Sequence, residues 1–320
     1  MIFKRNASRR WRLPAAAAAL VAAVVAGCGG GTTQYDPFVA GRVLAFGDDT
    51  SAMLPDGRRW GINGVDPITG APDCNQEPNW VQSVAGYYGY IFAECNTSNP
   101  PLEAKGLMFA AVTAKVSDVA TQVEAMLATG GVRDKDLALV MAGTNDVWEL
   151  YEQYPSQSEE TLIADIRGRA DQLAGIVNRL VALGAKVVVV NLPDLGLSPY
   201  ARTESDNFSG TGFDRAALIT RLTTAFNERL GTKVLLDGRY VGLVQLDLRT
   251  QAIGRSPQSF GFTDISTAVC TVLIPNCTPN TLVTGATVNT YLWADDKHLS
   301  SGGQSQIATL ALDRVRRNPF

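Results

Sequence analysis

The chain has 320 residues, 46% of them hydrophobic and 18% charged, enough to bury one sizeable core or two modest ones. Five of its 28 Lys/Arg (Lys4, Arg5, Arg9, Arg10 and Arg12) fall within residues 1–27, which hold no acid. The rest of the chain therefore carries 23 basic against 31 acidic residues, a net of −8. A remainder that acidic makes nucleic acid a poor partner.

The basic N-terminus runs into the apolar stretch PAAAAALVAAVVAG and then Cys28. At about 13 residues this run is short of the roughly 20 needed to span a bilayer as a helix, and the pattern is that of a secretory signal peptide. Val25-Ala26-Gly27-Cys28 resembles the lipobox of bacterial lipoproteins. That resemblance implies a signal peptide over 1–27, a lipid anchor on the Cys28 thiol and a flexible tether over 28–40. Gly29, rather than Asp, after the cysteine points to the outer membrane. Ser8-Arg9-Arg10 has the start of a twin-arginine export signal, but Arg12 stands where that signal carries an apolar residue.

Four cysteines remain after Cys28: Cys74, Cys95, Cys270 and Cys277. In an exported chain they read as two disulfides, with three possible connectivities. The local pairings, Cys74–Cys95 and Cys270–Cys277, are expected. A zinc site is set aside, because the spacing lacks any CxxC and the single histidine lies far from both pairs. No metal or cofactor is expected.

From residue 41 apolar runs alternate with helical periodicity. Val43–Phe46 is a first strand, Trp80–Phe92 and Val116–Leu127 are helices, and Leu137–Met141 is a second buried strand. A long amphipathic helix over Glu159–Leu183 leads into the β-branched strand Lys186–Asn191. A helix over Asp214–Leu230, a strand near Leu243–Leu246 and a closing helix over Gly302–Val315 follow. Continuous apolar strands separated by helices predict one α/β/α domain over 41–320, with a parallel sheet covered on both faces. Two inserts are visible: Ser51–Asn63, with Pro55-Asp56-Gly57 as a hairpin turn, and a Gly/Thr/Asn-rich loop over 254–290.

Polar clusters stand at three carboxyl ends of this pattern, where function collects in such sheets. They are Gly47-Asp48-Asp49-Thr50-Ser51, Gly143-Thr144-Asn145-Asp146, and Asp295-Asp296-Lys297-His298 with the only histidine. Together, and in this order, they resemble the SGNH (GDSL) ester hydrolases, whose blocks read Gly-Asp-Ser, Gly-x-Asn-Asp and Asp-x-x-His. Asn191–Pro199, Phe260–Asp264 and Tyr291–Asp295 also resemble segments of the lipase-like branch, and the match runs from about 42 to 312. The resemblance implies a three-layer, flavodoxin-like α/β/α fold and an extracytoplasmic hydrolase of acyl esters or acetylated glycans. Its ligand would be a small-molecule or glycan ester, and its membrane contact the anchor at Cys28.

By the same resemblance Asp49, Asp295 and His298 form the catalytic set, with Asp49 where the family carries its nucleophilic serine. Asn145, Gly143 and Ala111 would bind the oxyanion or substrate, Phe109-Ala110-Ala111-Val112 occupying the second block with an alanine in place of the family's glycine. A carboxylate attacking an ester would give an anhydride, so Asp49 is a poor nucleophile. Thr50 and Ser51 are displaced from the nucleophile's position. A general base acting on water is another route, but two flanking carboxylates should hold His298 as imidazolium. A Mg²⁺ site at Asp48-Asp49 lacks a phosphate loop and a companion lysine. Two readings stay open: an ester hydrolase with non-standard activation, and a catalytically silent domain that binds a ligand or a cell-envelope component.

Overall fold

The computed structural model describes residues 37–320; the expected signal peptide, Cys28 and most of the expected tether lie outside them. Five strands form one parallel sheet: β1 (Arg42–Gly47), β2 (Gly106–Met108), β3 (Asp136–Met141), β4 (Lys186–Val190) and β5 (Val241–Val244). Their order is β2-β1-β3-β4-β5, so the chain reverses direction across the sheet between β1 and β3. In an open α/β sheet that reversal opens a crevice at the strands' carboxyl ends.

Alternation along the strands feeds two separate cores. Leu44, Phe46, Ala138, Val140, Val187 and Val189 face helices α2 (Val116–Ala128), α3 (Thr144–Tyr151), α4 (Glu159–Ala182) and α6 (Arg215–Lys233). Val43, Ala45, Leu137, Leu139, Val188 and Val190 face α1 (Trp80–Tyr87), α7 (Leu246–Arg255) and α8 (Ser301–Arg317). Both faces of every central strand are buried, which is why their sequences read as unbroken apolar runs. The fold is the expected three-layer α/β/α with a parallel sheet.

Several boundaries differ from the sequence reading. Helix α1 stops at Tyr87 rather than Phe92, because Gly89 takes a left-handed φ of +72° and turns the chain. Strand β5 starts at Val241, two residues early, and includes Gly242. A Cβ there would lie 2.9 Å from the Cβ of Arg314, so α8 packs on β5 only over a glycine. The 254–290 loop is not wholly irregular. It contains β6 (Asp264–Ala268), which pairs in parallel with β7 (Tyr291–Trp293) in a small second sheet. The Pro55-Asp56-Gly57 turn closes an antiparallel bridge between Met53 and Arg59. Both expected disulfides are closed, Cys74–Cys95 and Cys270–Cys277. Among the described residues no helix is long and apolar enough to cross a membrane.

Candidate active site

The first corner of the site is made by a residue that only glycine can be. Gly47 ends β1 at a φ of +133°, and a Cβ on it would sit 1.8 Å from the Met141 carbonyl oxygen of β3. Gln122 of α2 holds this peptide from both sides. Its Oε1 accepts the Gly47 N–H at 2.8 Å and its Nε2 donates to the Gly47 carbonyl at 2.9 Å. The chain beyond is thereby aimed into the crevice.

Asp48, the next residue, is fully buried. One carboxyl oxygen accepts the Thr50 N–H at 3.1 Å, while Oδ2 has no partner among the described residues. Burial, and then the charge of Asp49, push its carboxyl up to about 7.

Asp49 points toward the other two clusters. Its Oδ1 accepts the Thr113 backbone N–H at 2.9 Å and its Oδ2 accepts Nδ2 of Asn145 at 2.5 Å. The carboxylate is 5% exposed, and each oxygen is held by a donor from a different segment. Asn145 is oriented by a second bond, from Nδ2 to the Ala114 carbonyl at 3.0 Å. It lies in the first turn of α3, which Gly143 introduces at a φ of +122°. A Cβ on Gly143 would meet the Phe226 ring at 2.5 Å. Gly143 therefore shapes the turn rather than contributing a functional group.

Asp146, beside Asn145, ties the two donor segments together. Fully buried, it accepts the Val116 N–H at the start of α2 and a bond from Arg169, each at 2.9 Å. Burial raises its carboxyl, and the Val116 amide and Arg169 only partly offset this.

The third corner is the tight turn after β7. Asp295 Oδ1 accepts the N–H groups of Lys297 at 2.9 Å and of His298 at 2.7 Å. Nδ1 of the His298 ring lies 2.9 Å from Asp295 Oδ2. An ionised carboxylate only accepts, so Nδ1 carries the proton and Nε2 is the nitrogen left for chemistry. Burial works to lower the His298 pKa, but the bond to Asp295 and the charges of Asp295, Asp49 and Asp48 raise it above 6.5. Burial likewise works against ionised Asp295. The bond to His298, its charge and the two turn amides outweigh this and hold the carboxyl below its usual range. The Tyr200 N–H donates to the Asp296 carbonyl at 2.9 Å, and the Lys297 ammonium lies 4.2 Å from the Tyr200 ring centroid. Both contacts pin the turn against α5 (Pro199–Asn207).

Asp49, Asn145, Asp295 and His298 thus share one crevice, and His298 feels the charge of Asp49. No hydrogen bond joins Asp49 to His298 among the described residues; the carboxylate is turned toward Asn145 and Thr113 instead. Ala111 does not join the site. Its N–H donates to the Gly47 carbonyl at 3.1 Å, as the Ala110 N–H does to Ala45, because this segment extends the β1–β2 pairing. The amide that reaches the site belongs to Thr113, two residues on, whose left-handed φ of +62° turns its N–H inward. Sequence reasoning missed it, since no residue preference marks a threonine for that conformation. Gln122 was missed too. A glutamine among the buried positions of an amphipathic helix was the available signal.

A family model described as GDSL-like Lipase/Acylhydrolase matches residues 43–310. The phosphatidylcholine-sterol acyltransferase of Aeromonas hydrophila is 26% identical over 154 residues, 48% of this chain and 42% of that protein. The chain thus matches less than half the length of that relative. Among solved structures, the lipase Lip_vut3 from a goat rumen metagenome superposes with a TM-score of 0.49 at 14% identity, covering 87% of this chain and 99% of that one. The acetylxylan esterase Axe2 of Geobacillus stearothermophilus gives 0.42 at 16%, covering 88% and 96%. The family model spans the sheet from β1 into α8 and takes in all three corners of the crevice: the chain belongs to the GDSL-like lipase/acylhydrolase family.

Proposed function

We propose that residues 41–320 form an extracytoplasmic ester hydrolase of this family, acting on acyl esters or acetylated glycans, with Asp49 in the place of the family's nucleophilic serine. The observation that carries this reading is the Asp295–His298 pair, hydrogen-bonded at 2.9 Å, whose ring feels the charge of the Asp49 carboxylate that Asn145 holds. An imidazole oriented through Nδ1 next to a polarising donor is the arrangement acyl transfer requires.

With no hydroxyl at residue 49, the reaction runs through water. His298, neutral above its raised pKa, takes the proton from water through Nε2 as the oxygen attacks the ester carbonyl. The imidazolium then gives a proton to the departing alkoxide, leaving alcohol and acid. Turnover is slow for two reasons. The base is neutral only at elevated pH, and the Asp49 carboxylate both occupies the Asn145 donor and repels negative charge forming on the carbonyl. Loss of one such donor alone costs about 10²–10³ in rate.

The contact of Asp49 with Asn145 and Thr113 favours a second reading, a domain that binds an ester or envelope ligand without turning it over. Hydrolysis of p-nitrophenyl acetate by wild type and His298→Ala separates the two. The hydrolase reading requires a wild-type rate above that of the variant and rising with pH. Equal rates leave the ligand-binding reading.

A further inference from the structure

The donors that hold Asp49 form a binding site in their own right. Thr113 N–H and Asn145 Nδ2 come from separate segments, and both segments are anchored by bonds other than those to Asp49. The Asn145 amide is fixed by its bond to Ala114, and both segments are joined through Asp146 to the start of α2. Thr113 does this in a left-handed conformation unusual for a β-branched residue, which costs on the order of 1 kcal/mol or more. The local backbone is thus held, at a cost, in a form that aims an N–H at one point in the crevice. At that point lies an oxygen of a carboxylate, and the second oxygen takes the other donor.

We propose that Asp49 is a tethered occupant of a carboxylate-binding site, its side chain filling in cis the Thr113–Asn145 donor pair that an acyl oxyanion or free carboxylate would otherwise use. The assignment of that ligand class rests on the ester-hydrolase reading. A carboxylate carries the charge of both the tetrahedral oxyanion and the product acid, and charge-assisted bonds of this kind are roughly twice as strong as neutral ones. Being tethered, Asp49 also competes at an effective concentration that a dissolved ligand reaches only in the millimolar range. The native site is therefore inhibited by its own residue. Removing the Asp49 side chain exposes a preformed pocket for small carboxylates.

The test is acetate binding to the full chain, followed by calorimetry and by the Thr113 amide resonance in a ¹H–¹⁵N spectrum. Asp49→Ala should bind acetate about tenfold or more tightly than wild type, and Asp49→Ala/Asn145→Ala should lose about tenfold again. The Thr113 amide should move on Asp49→Ala and return toward its wild-type position as acetate is added. Equal acetate affinity in wild type and Asp49→Ala, or binding that leaves Thr113 unmoved, overturns the proposal. Should Asp49→Ala fail to fold, Asp49→Asn preserves shape without charge, and the Thr113 amide must then shift upfield; an unchanged resonance is fatal. None of these readouts involves turnover. Acetate binding in a chain that never hydrolyses esters would sink the hydrolase reading and leave the tethered carboxylate standing. Hydrolysis without acetate binding would do the reverse.

Discussion

The His298 ring donates from Nδ1 to Asp295 at 2.9 Å, and the same carboxylate accepts the His298 backbone N–H at 2.7 Å. One aspartate thus sets both the ring's tautomer and the turn that carries it. The pairing raises the pKa of His298 above 6.5, against the effect of its burial. A histidine whose folded pKa is raised contributes stability that is complete below its unfolded pKa and is lost as pH rises through the folded value. Titration of the ring by NMR should give a midpoint above 6.5, and Asp295→Asn should lower it. A midpoint unmoved by Asp295→Asn would mean that the pair does not control the imidazole.

Asp48 has the same sign, contrary to the usual aspartate. Its carboxyl is raised from 3.8 to about 7 by burial and by Asp49, so the folded chain binds a proton that the unfolded chain has released. Stability should fall as pH rises from about 4 to 7, by an amount on the order of a few kcal/mol. Asp48→Asn, which imitates the protonated acid, should flatten that decline and raise the melting temperature at pH 8. Thermal denaturation across pH checks this; a variant less stable than wild type at pH 8 contradicts it.

The three corners of the site were legible in the sequence for a physical reason. Each lies where an apolar strand stops, and a strand buried on both faces must end abruptly at its first polar residue, as at Asp48. Helix α3 was not legible: Thr144-Asn145-Asp146 reads only as a polar cluster at a strand end, while in the fold Gly143 caps the helix and Val147 and Tyr151 are buried. Strand β2 has three residues and survives by pairing with β1, a tertiary effect without a local signature. Thr113 was invisible because its conformation is imposed by its surroundings. The resemblance points instead to Ala111, whose N–H donates to the Gly47 carbonyl. The disulfides were legible because each pair closes a short loop, separated by 21 and 7 residues.

The lipid anchor is a separate proposal, resting on Val25-Ala26-Gly27-Cys28. Radiolabelled fatty acid should enter the wild-type chain in a bacterial host and not Cys28→Ser. In the outer-membrane reading, the labelled chain fractionates with that membrane. Label in both forms would remove the anchor.

If Asp49 occupies the nucleophile's place in an otherwise competent ester-hydrolase site, Asp49→Ser should restore ester hydrolysis. The substitution supplies a hydroxyl near His298, frees Asn145 and Thr113 for the oxyanion, and removes one of the charges that raise the imidazole pKa. Loss of the nucleophile from a complete triad costs about 10⁶ in rate, on top of the roughly 10³–10⁴ over water that binding and the oxyanion hole retain, so a hydroxyl restored with only a small part of that effect is worth about 10²–10³. On p-nitrophenyl acetate, Asp49→Ser should exceed wild type by about that factor, and Asp49→Ser/His298→Ala should fall back to background. A folded Asp49→Ser with no gain, or a fast wild type that Asp49→Ala abolishes, would contradict that placement of Asp49.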